Sequence, residues 1–452
     1  MAENNNNKTQ EIQKENQTER KKPETNLSKR FGANQTKPEL LAPVGNLTNL
    51  KIAIDAGADA VYFGLKMYSL RTSASRSKNF SLEDLEKVKS QCQRAGGIKR
   101  YLTLNSIIYD RELEKVEEII QEVAEKNLAD AIICWDLAVV NLCRKYNIPF
   151  HISTQGSVSN SESVKFYQSL GAERIILARE LDLKQIKNII DETGIEAEVF
   201  VHGAMCVSVS GRCLMSQFLF GKSANRGQCI HPCRRTYTVR DSQEGYELEV
   251  DNNKVLSAKD LCALPFLDKL MGSGIKSFKI EGRNRDPRYV DKVTRVYRKA
   301  IDTLWEKTKE GQKAELSEEE KNEFLEELKK VYNKGFSRGF YFGTPTADDF
   351  SRVEHSQAKE MKHLAGVIKH YYRGPSVAEV ELVSDLAAGD TLVIIGKTTG
   401  LEEFKLESME VENQRIKGAG KGQTVGIKVP SRVRKNDEVY VIKKRENRDN
   451  PS

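Results

Sequence analysis

From residue 38 onward, short apolar runs alternate with longer stretches in which apolar residues recur at helical spacing. Eight runs have the composition of buried strands: residues 39–42, 60–63, 100–104, 131–135, 149–153, 174–178, 198–201 and 276–280. The intervening stretches predict amphipathic helices: residues 47–56, 82–93 (with Ser81 as cap), 113–124, 137–145, 161–170 and 183–191. Such alternation predicts a parallel sheet with helices packed outside it.

Eight strand–helix units match a closed (β/α)8 barrel, which typically needs about 250 residues. A doubly wound open sheet is the alternative, and it requires a glycine-rich fingerprint after the first strand. The segment Pro43-Val44-Gly45-Asn46 does not have that pattern. We therefore predict an α/β fold with a TIM-like barrel domain over residues 38–340.

The seventh unit is expanded, because about 75 residues separate Val201 from Lys276. This excess holds a cysteine-rich loop over residues 203–262 and, within it, a polar hairpin-like stretch at 237–256. In such barrels the loops after the carboxyl ends of the strands carry the chemistry. The cysteine-rich insertion is therefore predicted to lie at an active-site mouth.

After two further helical stretches, at 287–308 and 316–334, the pattern changes to short alternating runs between Gly- and Asp-rich turns. This predicts a separate small β-barrel domain over residues 341–447. Its basic positions are Lys417, Lys421, Lys428, Arg432, Arg434, Lys435, Lys443, Lys444 and Arg445. They form either an ordinary solvated surface or contacts to a phosphate backbone.

Both chain ends predict tails. Residues 1–37 are rich in Asn, Gln, Lys and Glu and are expected to be disordered, and residues 448–452 form a second short tail. No apolar run reaches about 18 residues and no secretory signal is present, so we expect no membrane partner and a reducing, cytoplasmic location. A net charge of +7 and a pI near 8.7 permit a polyanionic partner.

Four of the eight cysteines lie within 28 positions, spaced C-x6-C-x15-C-x3-C: Cys206, Cys213, Cys229 and Cys233. A reducing compartment disfavours a disulfide knot, and only the last pair resembles a zinc knuckle. The wide first spacing favours a larger inorganic core such as an iron–sulfur cluster, with zinc and free redox-active thiols as alternatives. Three others are expected to be core residues: Cys92, Cys134 and Cys143.

Polar residues at other strand ends would converge at the same mouth. His202 ends the seventh strand and Glu281 follows the eighth, so both are candidates for proton transfer. The alternative for His202 is a structural role, as a histidine that is buried at the strand end to satisfy hydrogen bonds. Arg179, Lys279 and Arg283 could together hold a small carboxylate cosubstrate. Ion pairs that close the barrel are the alternative for these three.

Five ordered segments resemble the collagenase-like proteins of family thirty-two of the peptidases of unknown catalytic type: ELLAPVGN (39–46), DAVYFG (59–64), EVFVHGA (198–204), SGRC (210–213) and KIEGR (279–283). The resemblance spans about residues 38–340. The C-terminal part is similar to the barrel carried by the longer, two-domain members.

The resemblance to the long branch implies tRNA modification, in which wobble uridine is hydroxylated to 5-hydroxyuridine by a route linked to prephenate as cosubstrate. It also implies a [4Fe–4S] cluster held by Cys206, Cys213, Cys229 and a fourth cysteine. Spacing favours Cys233 as the fourth ligand, and a more distant ligand would be Cys262. The expected partners are tRNA and a small anionic cosubstrate.

A collagenase-like peptidase is the competing function, and a non-catalytic cluster-bearing assembly factor is a third. The sequence contains neither G-x-S-x-G nor H-E-x-x-H, and so offers no recognisable peptidase machinery. The C-x3-C-x2-C motif of enzymes that cleave S-adenosylmethionine is also absent. The resemblance to the long branch thus implies an iron–sulfur-dependent RNA hydroxylase, with a peptidase as the alternative.

Overall fold

The computed structural model describes residues 36–70, 79–237, 239–240, 243, 247–248, 256–353, 356–412 and 414–445. The two predicted tails lie outside these residues, apart from positions 36 and 37. Most of the hairpin-like stretch at 237–256 also lies outside them.

Eight parallel strands close into a barrel, as predicted. The first eleven strands are β1 (Glu39–Pro43), β2 (Ala60–Gly64), β3 (Lys99–Thr103), β4 (Ala131–Cys134), β5 (Phe150–Ile152), β6 (Arg174–Ile176), β7 (Glu196–Ala204), β8 (Val239–Arg240), β9 (Glu247–Leu248), β10 (Asp260–Cys262) and β11 (Ser277–Ile280). Strands β1 to β7 pair in chain order, and β11 pairs in parallel with both β1 and β7. This last pairing closes the ring and leaves the barrel without a free edge.

Helices follow most barrel strands and pack outside the ring. They are α1 (Leu47–Asp55), α2 (Asp84–Arg94), α3 (Leu113–Glu125), α4 (Leu137–Lys145), α5 (Ser161–Ser169), α6 (Leu183–Thr193), α7 (Met215–Phe220), α8 (Leu267–Met271), α9 (Pro287–Lys309) and α10 (Glu318–Lys329). Helix α2 begins two residues later than predicted. The Asp84 N–H nevertheless donates to Ser81 Oγ at 3.3 Å, which is the kind of bond expected of Ser81 as the residue that caps this helix. None of the helices in the described ranges has the length and apolar run needed to cross a membrane.

A network of buried charges fills part of the barrel interior. Glu198 is 0% exposed, and one carboxylate oxygen accepts from Lys279 Nζ at 2.7 Å while the other lies 3.5 Å from an Arg174 nitrogen. Arg174 also pairs with Glu39 at 2.5 Å, and the Tyr101 hydroxyl donates to Glu39 at 2.7 Å. Charges are stable inside a protein only when paired and hydrogen-bonded. The network therefore fixes the position of the lysine that reaches the barrel mouth.

The insertion after β7 folds back onto the barrel. Strand β10 pairs antiparallel with the last residues of β7, and β12 (Phe336–Ser337) pairs in parallel with β10. Within the predicted hairpin-like stretch, β8 and β9 pair antiparallel. The end of β7 is thus held by β11 on one side and by the returning chain on the other.

The C-terminal strands form an antiparallel, all-β unit. They are β13 (Glu360–Tyr372), β14 (Val377–Leu382), β15 (Leu386–Ala387), β16 (Thr391–Gly396), β17 (Gly400–Lys405), β18 (Met409–Val411), β19 (Gln414–Ile416), β20 (Gly418–Ala419), β21 (Thr424–Lys428) and β22 (Glu438–Lys444). Eight of them form one sheet in the order β17-β16-β22-β13-β14-β21-β18-β19, and β15 pairs with β20. The sheet surrounds a core separate from that of the barrel. The two end strands of this sheet, β17 and β19, do not pair with each other within their described residues.

Ion pairs join this unit to the barrel. Arg288 of α9 is buried, and its guanidinium contacts Glu360 and lies 3.1 Å from Glu403. Lys292 also reaches Glu403, at 3.2 Å. Because a buried charge that loses its partner is strongly destabilising, these pairs fix the C-terminal unit against the outside of the barrel.

Candidate active site at the barrel mouth

A cavity of about 170 Å³ opens at the carboxyl ends of the barrel strands, and we term it the cysteine cavity. Its wall includes Arg179, Cys206, Cys213, Cys229, Cys233, Lys279, Glu281 and Arg283. Eight of the nine site residues predicted from the sequence are therefore brought together. The ninth, His202, does not line this cavity.

Arg234 connects the two ends of the cysteine-rich loop. One guanidinium nitrogen donates at 2.7 Å to the carbonyl of Met205, the residue before Cys206. The other nitrogen donates to the carbonyl of Ala258 and, at 3.2 Å, to Ser257 Oγ. Because Arg234 directly follows Cys233, these bonds hold the first and last cysteines of the loop near each other.

The two middle cysteines are positioned by separate hydrogen bonds. The backbone N–H of Cys213 donates to Asn225 Oδ1 at 3.1 Å, and the N–H of Met215 donates to Cys213 Sγ at 3.3 Å. Next to Cys229, the N–H of Ile230 donates to Ser216 Oγ at 3.2 Å. Backbone donors to sulfur tune thiolate-bound clusters, so the bond from Met215 is of the kind that such a site contains.

The four thiols influence one another electrostatically. None of the four forms a disulfide with a described residue; Cys206 is exposed and the other three are partly buried. Burial raises the pKa of Cys233, the Arg234 guanidinium lowers it, and the charges of Cys206, Cys229 and Cys213 raise it again. All four also lie on the wall of the cysteine cavity.

The chemistry of the four thiols is that of a thiolate-bound metal group, and the cavity is the place in the structure where such a group would be held. Within the part of the chain that the structure describes, no three His, Cys, Asp or Glu side chains form a group that could hold one metal ion. A four-cysteine zinc site needs every sulfur about 2.3 Å from the same ion. A [4Fe–4S] cluster is larger and is also held by four cysteine thiolates. Four thiols on one cavity wall, with an N–H donor to one sulfur, are donors of the kind that this cluster requires.

His202 faces away from the cavity because of a bulge in β7. Phe200 pairs with Lys279 but His202 pairs with Ile280, so β7 has one more residue than β11 between these pairs. An extra residue reverses the alternation of side chains, and His202 therefore takes the outward face that Ile280 occupies. There it is 2% exposed, with its Nδ1 3.4 Å from the hydroxyl of Tyr297 on α9.

Burial lowers the pKa of His202 to about 3, with a smaller contribution from the charge of Arg285. A neutral ring enclosed by aromatic side chains, with no place on the cavity wall, cannot act on a substrate at the mouth. The structure thus places His202 as the buried strand-end histidine that was the alternative. The role predicted for it at the mouth finds no geometric support.

Cys262 lies behind the strand rather than at the mouth. It pairs with His202 across β10 and β7, is buried, and receives a weak hydrogen bond from the Tyr297 hydroxyl at 3.9 Å. Burial raises its pKa to about 11. Cys233 lines the cavity with the other three cysteines and Cys262 does not. The geometry therefore favours Cys233 as the fourth ligand.

Two of the three predicted cations are held rigidly from inside the barrel. Burial lowers the pKa of Lys279 and the nearby Glu198 raises it, so this lysine both pairs inside the barrel and reaches the cavity. A guanidinium nitrogen of Arg283 donates to Ser69 Oγ at 2.7 Å and Thr103 Oγ1 at 2.9 Å. Both cations are thus oriented before any ligand binds.

The third cation, Arg179, and the predicted carboxylate, Glu281, lie at the mouth of the barrel. The Arg179 guanidinium stacks 3.8 Å from the centre of the Phe200 ring and donates to the Ala204 carbonyl at 3.1 Å. Glu281 is partly exposed. Its carbonyl approaches Gly203 so closely that a Cβ there would lie 2.6 Å away, and Gly203 has φ of +109°. A glycine at this position allows β7 to end beside Glu281.

Sequence reasoning missed the residues that position the site, chiefly Glu198, Asn225 and Arg234. Glu198 could have been identified from the sequence. It is a charged residue in an apolar strand, and it lies two positions before Phe200 and therefore on the same face of that strand. The bonds of Asn225 and Arg234 could not be predicted, because their partners are distant in sequence within the folded insertion; only the positive charge of Arg234 beside the thiols was apparent from the sequence.

Comparisons with known proteins agree with this architecture. The sequence profile of peptidase family U32 matches residues 45–351. An uncharacterized protease from Methanocaldococcus jannaschii is 42% identical over 415 residues, which cover 90% of this chain and 98% of the relative. A collagenase from Porphyromonas gingivalis is 38% identical over 420 residues, with the same two coverages of 90% and 98%.

A third relative has a different kind of name. The tRNA hydroxylation protein P1 from Bacillus subtilis is 34% identical over 370 residues, which cover 80% of this chain and 84% of the relative. The chain is thus similar both to relatives named for proteolysis and to a relative named for RNA modification. The profile match over most of the chain, together with these identities, shows that the chain belongs to peptidase family U32.

Proposed function

We propose that this protein hydroxylates RNA, with the wobble uridine of tRNA as its target and 5-hydroxyuridine as the product. In this proposal Cys206, Cys213, Cys229 and Cys233 hold a [4Fe–4S] cluster, and an anionic cosubstrate such as prephenate binds beside it. One observation carries the proposal. The four thiols line the same cavity as the three cations, at the end of the barrel where such folds carry their chemistry.

The cavity suits a small anion. Its volume of about 170 Å³ is below the roughly 300–1,000 Å³ of pockets that take drug-sized ligands. Arg283 and Arg179 are planar groups already fixed by their neighbours, and guanidinium groups bind carboxylates in a bidentate manner. Lys279 adds a third donor whose charge Glu198 partly offsets. The chain's own residues thus bind and orient the anion.

Glu281 is the carboxylate we assign to proton transfer. It lies on the cavity wall and is partly exposed, whereas His202 is enclosed behind β7. A carboxylate at the rim can accept a proton from a substrate that enters the mouth. When bound, an iron–sulfur cluster supplies one-electron transfer at a potential set by its surroundings.

The cluster is tested by purification without oxygen. The wild-type protein should contain about four irons per chain and absorb broadly near roughly 400 nm. Replacement of Cys233 by serine should lower the iron content, and the matched variant Cys262→Ser should retain it, because Cys262 lies outside the cavity. A colourless, zinc-containing wild-type protein would contradict the proposal.

The reaction is tested by nucleoside analysis of tRNA from a deletion strain. Loss of 5-hydroxyuridine derivatives should be reversed by the wild-type gene and by Cys262→Ser, but not by Cys233→Ser or Glu281→Gln. An unchanged nucleoside profile, in a strain with no second pathway for this modification, would rule out the proposed role.

A peptidase is the second candidate, because two relatives of 42% and 38% identity are named as a protease and a collagenase. Two hydroxyls on the cavity wall bond to other groups: Thr103 accepts from Arg283, and Ser153 donates to Gln155. Neither bond joins a hydroxyl to a histidine, which is one common way in which a nucleophilic hydroxyl is activated. Digestion of gelatin by the pure protein, abolished by a single substitution at the cavity, would favour the peptidase.

A further inference from the structure

A larger cavity of about 480 Å³ adjoins the cysteine cavity, and we term it the second cavity. Its wall includes Asp260, Asn284, Arg285, Tyr332, Lys334 and Arg445. The two cavities share four wall residues: Ala204, His231, Arg234 and Glu281. A molecule bound in one would therefore lie next to a molecule bound in the other.

Two buried oxygen atoms in this wall have no donor among the described residues, although the backbone N–H of Lys334 donates to the Asp260 carboxyl group. Asp260 is 2% exposed, and its Oδ1 has no hydrogen-bond partner among the described residues. The Oδ1 of Asn284 is likewise buried and without a partner in that part of the chain. Buried polar atoms are nearly always hydrogen-bonded in native proteins, so each exception needs an explanation. A ligand that brings N–H donors would satisfy both oxygens.

The same wall presents a guanidinium group that is available for binding. Arg285 stacks 3.7 Å from the centre of the Tyr332 ring, and within the described ranges its side chain makes no hydrogen bond or ion pair. Lys334 and Arg445 add positive charge nearby. Arginine planes both stack on nucleobases and bind phosphate oxygens in RNA-binding proteins.

These features of the second cavity together match the chemistry of a nucleotide. We propose that the second cavity binds the nucleotide that flanks the modified one in a single-stranded stretch of RNA, an inference that rests on the proposed function. Its phosphate contacts Arg285, Lys334 and Arg445, and its base donates to Asp260 and Asn284. Adenine, cytosine and guanine carry an amino group, whereas uracil offers a single N–H. The site therefore prefers an amino-bearing base over uracil at the flanking position.

The volume and charge of the second cavity agree with this assignment. About 480 Å³ lies within the range of pockets that enclose a drug-sized molecule, which is the size of one nucleotide. Four cationic side chains and two carboxylates line the wall: Arg234, Arg285, Lys334 and Arg445, with Asp260 and Glu281. The excess of positive charge favours an anionic ligand.

The test measures binding of fluorescent anticodon stem-loops to the full-length, anaerobically purified protein. The loops carry uridine at the wobble position and differ only in the two nucleotides beside it. The wild type should bind loops with an amino-bearing flanking base at least about fivefold more tightly than loops with uridine there. Arg285→Gln should weaken binding of all loops about tenfold. Asn284→Ala should reduce the preference to below about twofold while the protein still binds.

Lys417→Gln is the matched control, because Lys417 is an exposed cation of the C-terminal unit that the sequence also offered as an RNA contact. It should leave both affinity and preference unchanged. Equal binding by the wild type and Arg285→Gln, with weakening by Lys417→Gln, would overturn the assignment and place RNA on the C-terminal sheet. If the wild type restores 5-hydroxyuridine in cells but shows no flanking preference, the second cavity is not the nucleotide site and the proposed function stands. If the wild type restores no modification, the proposed function itself fails.

Discussion

The buried state of His202 makes the stability of the barrel depend on pH in a defined window. An unfolded histidine titrates near pH 6.5, whereas burial lowers the pKa of native His202 to about 3. Between these values the unfolded state binds a proton that the native state does not bind. Stability is therefore fully present above pH 6.5 and is lost progressively as the pH falls towards 3.

The size of the effect follows from the two pKa values. At pH 5 the unfolded histidine is almost fully protonated and the native one is neutral, so linkage reduces the free energy of unfolding by about 2 kcal/mol relative to pH 7. Replacement by phenylalanine keeps an aromatic ring among Tyr297 and its neighbours and removes the titration. Between pH 7 and pH 5, His202→Phe should therefore lose about 2 kcal/mol less stability than the wild type.

Urea unfolding followed by tryptophan fluorescence measures this difference. The two tryptophans, Trp135 and Trp305, both belong to the barrel, so their emission reports that unit alone. Other titrating groups contribute equally to both proteins and cancel in the comparison. His363→Phe, at an exposed position of β13, is the control and should behave as the wild type. The same pH-dependent loss in the wild type and His202→Phe would show that the histidine is not enclosed, and would return it to the list of acid–base candidates.

Three further outcomes are expected from other contacts. Arg234→Ala should lower the iron content of the anaerobically purified protein, because it releases the loop ends beside Cys206 and Cys233, whereas Arg235→Ala, next to it and exposed, should not. Lys279→Met should lower the free energy of unfolding by about 3 kcal/mol, since it removes the closer cation from the buried Glu198 carboxylate and leaves Arg174 at 3.5 Å. The double variant Lys279→Met/Glu198→Gln should recover part of that loss in chemical denaturation. Gly203→Ala should destabilise the barrel in the same assay by at least about 1 kcal/mol, because its Cβ would meet the Glu281 carbonyl in a left-handed backbone conformation; unchanged stability would contradict this close approach.

The barrel could be predicted from the sequence because its signals are local. Each predicted strand run overlaps an observed strand, and most of the helices begin within a residue or two of the predicted position, where a side chain such as Asn46 or Asp136 caps the first turn. The convergence of the cysteines with Arg179, Lys279 and Arg283 was also predictable, because carboxyl ends of parallel strands meet at one end of a barrel. This part of the site could therefore be predicted from the order of strands and helices alone.

The direction of His202 could not be predicted in this way. Strict alternation along β7 places His202 on the same face as Glu198 and Phe200, which point into the barrel. The bulge is visible only in the pairing with β11, which is more than 70 residues away in the chain. Alternation is therefore a guide to the inward face of a strand only up to the first irregularity in its register.

The choice between Cys233 and Cys262 depended on the same kind of long-range contact. Both follow β7, and their spacing permits either to complete a set of four. In the structure β10 returns antiparallel along the end of β7, and the bulge has already turned that part of β7 outward, so Cys262 faces Tyr297 on the outside of the barrel. The bulge that turns His202 away from the mouth thus also places Cys262 outside the barrel. Of these two cysteines, Cys233 is the one that lines the cavity.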